Sequence, residues 1–417
     1  MDGTIVQPGR GISQHAWPPG VTRVPYWVYQ EQDVARAEQA RIFQGPVWNF
    51  LCLDVDIPNQ GDFRTTFVGE MPIVVARGEN GAVHAFENRC AHRGALIVLE
   101  DSGSAKDFGC VYHAWRYDLC GNLASVAFRN GVNGQGGMPK DFDMRSVGPR
   151  KFRTTNFCGL VFGTLSEATP PIEQFLGEAI TARIRRVLTK PVEVIGRFTQ
   201  PLPNNWKLYA ENVKDTYHAS LLHLFFATFR ITRLSQGGGI LISESGAHHA
   251  STTLAPAQTP DTTYRDAGLR SDKEDFRLAD PGLLEVRNEF GDNIQLQILS
   301  VFPGFVLQQI HNCLAVRQIV PRGPDAMDLH WTYLGFADDT PDMRALRLKQ
   351  CNLVGPAGFV SMEDGCVGGF VQRGTATAED EESVVEMGGS GTESQSTRAT
   401  ESAVRGFWKN WRELMEV

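Results

Sequence analysis

The sequence predicts an α+β protein in two parts: a small antiparallel β domain, then a larger helix-grip domain in which an antiparallel sheet holds helices. Three observations carry that expectation. From Trp48 to about Leu165, short β-like runs alternate with turn residues. Beyond residue 165, helix-length segments and longer apolar strand-like runs succeed one another, the mixture of an α+β domain. At 417 residues the chain is long enough for two or more domains, each with a core. The expected boundaries are 1–44 for an N-terminal strap of the larger domain, 45–165 for the β domain and 166–417 for the larger domain.

The strap opens with a Pro/Gly-rich lead, Pro8 to Pro25, and continues as a charged helical stretch, "EQDVARAEQARIF", from Glu31 to Phe43. In the β domain, strand-like runs fall at Thr65 to Phe67, Ile73 to Ala76, Val83 to Phe86, Cys110 to Tyr117 and Gly159 to Thr164. Turns fall at Gly61 and Asp62, at Glu79 to Gly81 and at Cys120 to Asn122. The larger domain begins with a helix over Pro171 to Leu188 and a strand over Val192 to Phe198, followed by one long helix over Asn205 to Phe226. Strands are expected at Ile294 to Val301, Phe305 to Ile310, Cys313 to Val320 and Leu329 to Phe336, and closing helices over Pro341 to Asn352 and Ser402 to Met415. Gly237 to Gly239 lacks the following Lys-Ser/Thr of a phosphate loop and reads as a flexible loop. The Gly/Ser/Thr/Glu-rich segment from about Thr375 to Thr400 reads as a mobile connection or lid.

Composition narrows the function classes. A net charge of −8 and a pI near 5.7 argue against nucleic-acid and anionic-membrane binding, so an anionic substrate would have to be held by local arginines. Of eight cysteines, Cys52, Cys120, Cys158, Cys313, Cys351 and Cys366 show no pairing pattern, which suits a reducing compartment. The N-terminus has no apolar signal region, and no run reaches the eighteen or so apolar residues of a spanning helix. The expectation is a soluble, cytoplasmic protein.

Cys90-Ala-His92 and, after seventeen intervening residues, Cys110-Val-Tyr-His113 carry the first chemistry. Each short pair mixes one thiol with one imidazole, the pattern of a Rieske [2Fe-2S] site with two thiolates on one iron and two imidazoles on the other. Structural zinc is an alternative for two Cys and two His, though zinc fingers usually pair like with like. A second concentration lies in "WKLYAENVKDTYHASLLHLFF", where Glu211, Asp215, His218 and His223 sit in a largely apolar helix and are costly to bury without a partner or a metal. Five residues apart, His218 and His223 would diverge by about 140° on a straight helix, so sharing one metal needs a bend or a π-bulge. Asp215 lies on nearly the same face as His218 and is placed to orient it. Two histidines need a carboxylate to complete the facial triad of a non-haem Fe(II) oxygenase, and Glu363 or Asp364 in "GPAGFVSMEDG" can supply it.

Together, Cys90-x-His92, Cys110-x2-His113 and Glu-Asn-x-x-Asp-x-Tyr-His-x4-His resemble the large (alpha) subunits of Rieske non-haem iron aromatic-ring-hydroxylating oxygenases. The stretches "FENRCAHRGALI", "CVYHAW", "LPNNWKLYAENVKDTYHASLLH", "LQILSVFPGFVLQQI" and "GPAGFVSMEDG" extend the likeness over essentially the whole chain, and are similar to members that dihydroxylate terephthalate. The resemblance implies a [2Fe-2S] cluster on Cys90, His92, Cys110 and His113, and a mononuclear Fe(II) on His218, His223 and Asp364, with Glu363 as the alternative third ligand. It implies O2 as co-substrate and Asp215 as the bridge that receives an electron from His113 of a neighbouring subunit in a head-to-tail trimer. It also implies a small beta subunit in an α3β3 hexamer, and an NAD(P)H-dependent reductase or a ferredoxin as electron donor.

The expected substrate is an aromatic carboxylate, terephthalate first, to be cis-dihydroxylated. The alternatives are an oxygenase or monohydroxylase of an ortho-substituted benzoate such as anthranilate or salicylate, and, more remotely, a non-catalytic electron carrier. Arg317 sits among apolar residues in "NCLAVRQIV" and Arg398 near the end of the Gly/Ser-rich segment. The resemblance favours both as carboxylate clamps and Ile298 as an apolar wall. An internal ion pair for Arg317 and a solvated surface charge for Arg398 are the alternatives. His248 and His249 read as loop residues rather than ligands.

Overall fold

The period-2 runs before residue 165 form strands in a computed structural model of the chain, which describes residues 16–257, 262–271, 276–355, 358 and 360–417. The first fifteen residues, Pro8 of the expected lead among them, lie outside the described residues, as do Pro356, Ala357 and Phe359 of the "GPAGFVSMEDG" stretch. The chain divides into two units: Phe43–Phe175, and Met1–Ile42 together with Leu176–Val417.

In the smaller unit an antiparallel sheet runs in the order Asn49–Leu53, Leu160–Thr164, Lys151–Phe157, Val83–Glu87, Met71–Arg77, Asp62–Val68, Ser102–Ser104. A two-residue hairpin turn, Cys158 and Gly159 with φ of 54° and 80°, sets Phe157 opposite Leu160. A second sheet joins Phe108–Gly109, Arg116–Tyr117 and Leu123–Ser125. The run expected over Cys110 to Tyr117 is therefore a loop ending in a two-residue strand, because the chain turns back at Ala114, φ 55°. Phe63, Val74, Phe86, Phe108, Trp115, Tyr117 and Leu123 pack into one core with Cys90 and Cys110.

In the larger unit seven antiparallel strands run in the order Val192–Leu202, Met327–Phe336, Cys313–Pro321, Phe305–Ile310, Ile294–Val301, His249–Leu254, Gly238–Ile242. Pleating fixes which side chains share a face. Ser251, Ile298 and Gln308 are paired across three strands, and Thr253, Leu296 and Ile310 occupy the next same-face positions. Gln308 pairs with Ala315, so Arg317 two residues on lies on that face, opposite Trp331. Helices cover it: Trp206–Lys214, Pro341–Val354, Ser361–Thr375 and Ser402–Met415.

Three further expectations change. Gly238 and Gly239 open an edge strand rather than a flexible loop. Ile240 exchanges backbone hydrogen bonds with Gln395 at 2.8 and 2.9 Å, and a Cβ on Gly239 would meet Gln395 O at 2.5 Å, so the approach needs glycine. The segment over 375–400 is not a free lid: Glu382–Val384 pairs with Arg23–Pro25, Arg405 donates to the carbonyls of Val385, Met387 and Gly391, and Thr216 Oγ1 donates to Arg398 O at 2.6 Å. Its composition suggested mobility because every one of these partners is distant in sequence. The Ser361–Thr375 helix went unread because Gly365, Gly368, Gly369 and Gly374 lower its propensity. Packing overrides this: a Cβ on Gly365 would meet Leu202 Cδ2, and one on Gly368 would meet Asn204 Oδ1, each at 2.7 Å.

The closing helix, Ser402–Met415, buries Val404, Phe407, Trp408, Trp411 and Met415, worth roughly 1.5–3 kcal/mol for each large side chain. Trp206 and Trp411 both donate their indole N–H to Glu38 at 2.8 Å, and Lys207 Nζ forms a buried ion pair with it at 2.7 Å. Removing one member of such a pair costs on the order of 3–5 kcal/mol. Among the described residues no helix is long and apolar enough to cross a membrane.

Candidate active site

Two loops of the smaller unit repeat one construction. Cys90 N–H donates to Ala95 O at 2.7 Å and Gly94 N–H to Cys90 O at 2.9 Å; Cys110 N–H donates to Trp115 O and Ala114 N–H to Cys110 O, both at 2.9 Å. The residue four after each cysteine is left-handed, Gly94 at φ 77° and Ala114 at φ 55°. Each loop thus turns its thiol inward, 2% and 3% exposed, with His92 and His113 beside one another at 4.5 Å between ring centroids. His92 stacks on Trp115 at 4.8 Å, and Tyr117 donates its hydroxyl to Cys90 Sγ at 3.2 Å. His113 Nδ1 is buried without a hydrogen-bond partner, a cost that a metal bond removes. Each loop offers one thiolate and one imidazole, which suits a two-iron cluster that divides its thiolates and imidazoles between two metals. The donor set fits [2Fe-2S].

The mononuclear candidate is built by a helix that breaks twice. Asn205 caps Trp206–Lys214 by accepting from Lys207 N–H at 3.0 Å. At Asp215 the backbone becomes extended, and Oδ1 accepts from the N–H of Tyr217 at 2.7 Å and of His218 at 3.4 Å. A side chain that captures backbone donors ends a helix. The chain resumes over Ala219–Leu222, leaves helical geometry at His223 (φ −80°, ψ 80°) and resumes over Leu224–Thr228. The single helix expected over Asn205 to Phe226 is thus three pieces, and the breaks, rather than a π-bulge, bring the two imidazoles together at 5.3 Å between centroids.

Asp364, on the first turn of Ser361–Thr375, places Oδ1 at 3.5 Å from His218 Nε2 and 3.3 Å from His223 Nε2. The three ligand atoms lie within 4.8 Å of one another, with His223 and Asp364 buried. Asp215 Oδ2 holds His218 Nδ1 at 3.1 Å, and Glu363 Oε2 holds His223 Nδ1 at 2.7 Å, so each Nε2 turns toward Asp364. Glu363 therefore stands behind His223, not in the triad. Asn212 Nδ2 donates to Asp364 Oδ1 at 3.1 Å, a role that nothing in the sequence signals beyond its place in the Glu-Asn pair. Burial opposes charge on His218, but hydrogen bonds to Asp215 and Asp364 override it and carry its pKa up to about 10. Burial likewise opposes charge on Asp364, and both imidazoles hold its carboxyl well below the usual range. The group favours a cation among its three side chains.

His218, His223 and Asp364 line one side of a cavity. The sheet lines the other, with Ser251, Leu296, Ile298, Gln308, Arg317 and Trp331. Arg317, 6% exposed, donates to Tyr209 Oη at 2.7 Å, lies 4.7 Å over the Trp331 ring and forms no ion pair among the described residues. Arg398, 4% exposed, is no surface charge: it donates to Thr232 Oγ1 at 2.6 Å and to the carbonyls of Arg233 and Gln236. It too lines the cavity without a carboxylate partner, and burial pushes its pKa down to about 10. His248 lies in a loop, as the sequence suggests, whereas His249 opens a strand; both are buried, with His249 Nδ1 at 2.7 Å from Ser300 Oγ and His248 Nδ1 accepting from Phe302 N–H at 3.0 Å.

Residues 47–133 match the family described as the Rieske [2Fe-2S] domain, and residues 189–417 match the ring hydroxylating alpha subunit (catalytic domain). The chain is a ring-hydroxylating oxygenase alpha subunit. It is 60% identical to the terephthalate 1,2-dioxygenase terminal oxygenase component subunit alpha 2 of a Comamonas species, over 94% of this chain and 95% of that one. It is 46% identical to the anthranilate 1,2-dioxygenase large subunit of Burkholderia cepacia (94% and 93%), and 36% identical to the salicylate 5-hydroxylase large oxygenase component of a Ralstonia species (96% of each). In fold it matches naphthalene 1,2-dioxygenase from a Rhodococcus species, TM-score 0.78 at 23% identity over 94% of each chain.

An alpha subunit of this family carries a Rieske cluster and a mononuclear iron, and both donor sets fit. The oxygenase class excludes the simple electron carrier that the Cys/His quartet alone left open. Two supporting residues escaped the sequence reading. Tyr117, seven residues after Cys110, hydrogen-bonds the Cys90 sulfur, the kind of contact that tunes a cluster's potential. Glu363 was read only as a competing ligand, since adjacency to Asp364 does not reveal which carboxylate faces inward.

Proposed function

We propose that this alpha subunit cis-dihydroxylates an aromatic carboxylate, terephthalate first, adding both atoms of O2 across one ring edge with two electrons and two protons. The observation that carries the reading is the pair Arg317 and Arg398: two buried guanidinium groups without a carboxylate partner among the described residues, lining the cavity that also holds His218, His223 and Asp364. A ring with two carboxylates offers each arginine an anion. Trp331, Ile298 and Leu296 supply apolar surface for the ring between them. An ortho-substituted benzoate, the substrate type named for the anthranilate and salicylate relatives, offers only one carboxylate.

His218, His223 and Asp364 would hold Fe(II), which supplies open positions for O2 chemistry, and Cys90, His92, Cys110 and His113 would hold the cluster that supplies single electrons. Asp215 orients His218, and its side chain is 24% exposed, open to His113 of a neighbouring subunit in a head-to-tail trimer. Val111, Tyr112 and Phe128, 73%, 56% and 75% exposed near the cluster loops, supply an apolar surface for that contact. The assembly we propose is α3β3 with a small beta subunit, in the cytoplasm, reduced by an NAD(P)H-dependent reductase or a ferredoxin. Product analysis with a supplied reductase tests the substrate: terephthalate should give a cis-diol with coupled O2 uptake. Turnover of anthranilate or salicylate with none of terephthalate would overturn the reading.

A further inference from the structure

Gln308 brings to this cavity a neutral buried donor that no described residue satisfies. It lies on the Phe305–Ile310 strand, 1% exposed, and lines the cavity with Ile298 and Ser251, its cross-strand neighbours. Its Nε2 is buried and has no hydrogen-bond partner among the described residues. Buried side-chain amides are retained when something accepts from them, and the surrounding groups here do not: Leu296 and Ile310 are apolar, and Arg317 is a donor. Ser251 Oγ turns instead to Ile298 O at 3.4 Å.

The register supplies the second half of the argument. Gln308 pairs with Ala315, so Gln308 and Arg317 are diagonal neighbours on one face of adjacent strands, a separation that long side chains span to a common atom. Arg317 Nε is likewise buried without a partner. Two unpaired donors, one neutral and one charged, therefore converge on one end of the cavity.

We propose that Gln308 is a substrate-recognition residue that donates its Nε2 hydrogen to the same carboxylate that Arg317 receives. The inference rests on the reading of this cavity as the site of a carboxylated ring. It adds to that reading a neutral donor that fixes the carboxylate plane, where an arginine alone permits rotation about the axis of the ring. A leucine at 308 keeps the bulk and loses the donor; a glutamate keeps the shape and sets a negative charge against the carboxylate.

Equilibrium titration of the intact alpha subunit with terephthalate, benzoate, anthranilate and salicylate first identifies the acid that the wild type binds most tightly. With that acid, Gln308→Leu should raise Kd roughly 10- to 100-fold, and Gln308→Glu should raise it further although it is the closer isostere. Gln308→Leu combined with Arg317→Met should weaken binding by less than the product of the single effects. Unchanged Kd in Gln308→Leu, or tighter binding by Gln308→Glu than by Gln308→Leu, overturns the assignment. Preference for anthranilate or salicylate over terephthalate would defeat the substrate reading and leave Gln308 to be judged on the preferred acid. Binding of no carboxylated ring would defeat both.

Discussion

Asp215 and His218 are joined twice: Oδ2 meets the ring Nδ1 at 3.1 Å, and Oδ1 accepts from the backbone N–H of His218 at 3.4 Å. The residue that ends the helix thus also fixes the imidazole it releases, and with it the nitrogen that faces Asp364. Asp215→Asn should retain both cluster and mononuclear iron while product formation falls by about 100-fold or more. Iron and acid-labile sulfide content, read beside turnover, checks this; normal activity would sink the role given to Asp215.

Glu363 acts on the other histidine. Glu363→Gln should weaken mononuclear iron binding by about 10- to 100-fold, so that activity depends on added Fe(II) and recovers with it. Asp364→Ala should not recover at any Fe(II) concentration. A chelator titration of the two variants distinguishes these outcomes.

The two cavity arginines should separate in stability. Arg317→Met should weaken terephthalate binding with little effect on urea unfolding, since among the described residues its one side-chain hydrogen bond is to Tyr209. Arg398→Met should do both, because Thr232 and the carbonyls of Arg233 and Gln236 lose their donor, at a cost on the order of 1–3 kcal/mol. Equal stability of the two variants would contradict this.

Lys214 sets a pH dependence. Its Nζ is buried against Ser300 Oγ and 5.8 Å from the Phe407 ring, with His249 beyond Ser300, and burial pushes its pKa down to about 7 from an ordinary value of 10.5. Between those values the unfolded chain binds a proton that the folded chain does not, so stability rises with pH through this window and is lost as pH falls. Glu211 on the same helix, raised to about 8 by burial, and His218, raised to about 10 by Asp215 and Asp364, act in the opposite sense, lowering stability as pH rises. The Lys214 contribution is therefore the difference between wild type and Lys214→Met: between about pH 7 and 10 the variant should gain less urea midpoint with rising pH than wild type. An unchanged slope would place the titration elsewhere.

Much of this was legible in the sequence because it is local. Cys90 to His92 and Cys110 to His113 show their ligands within four residues each, and the closing helix, Ser402–Met415, runs over the residues that its periodicity predicts. What escaped depends on distant partners. The break at Asp215 is a contest between its own carboxylate and the helix for the same N–H groups, and apolar periodicity does not record that contest. The glycines of Ser361–Thr375 read as helix breakers until Leu202 and Asn204 lie against them. Arg398 sits in a composition typical of mobile segments, and its burial comes from Thr232, Arg233 and Gln236, more than 160 residues earlier.

The aromatic cluster at the two ends of the larger unit bears on how the protein is made. Tyr29 Oη donates to Glu211 at 2.5 Å, Glu38 holds Trp206 and Trp411, and Phe407 packs on Trp206 at 5.9 Å, so the helix that leads into Asp215 leans on the Ser402–Met415 helix. Residues 43–175 have a core of their own and emerge from the ribosome well before that support exists. The electron-transfer lobe can therefore fold during translation, whereas the histidine and carboxylate triad waits for residues 402–415 to be made. A truncated transcript or a stalled ribosome would yield the first half of the redox machinery without a competent oxygen site.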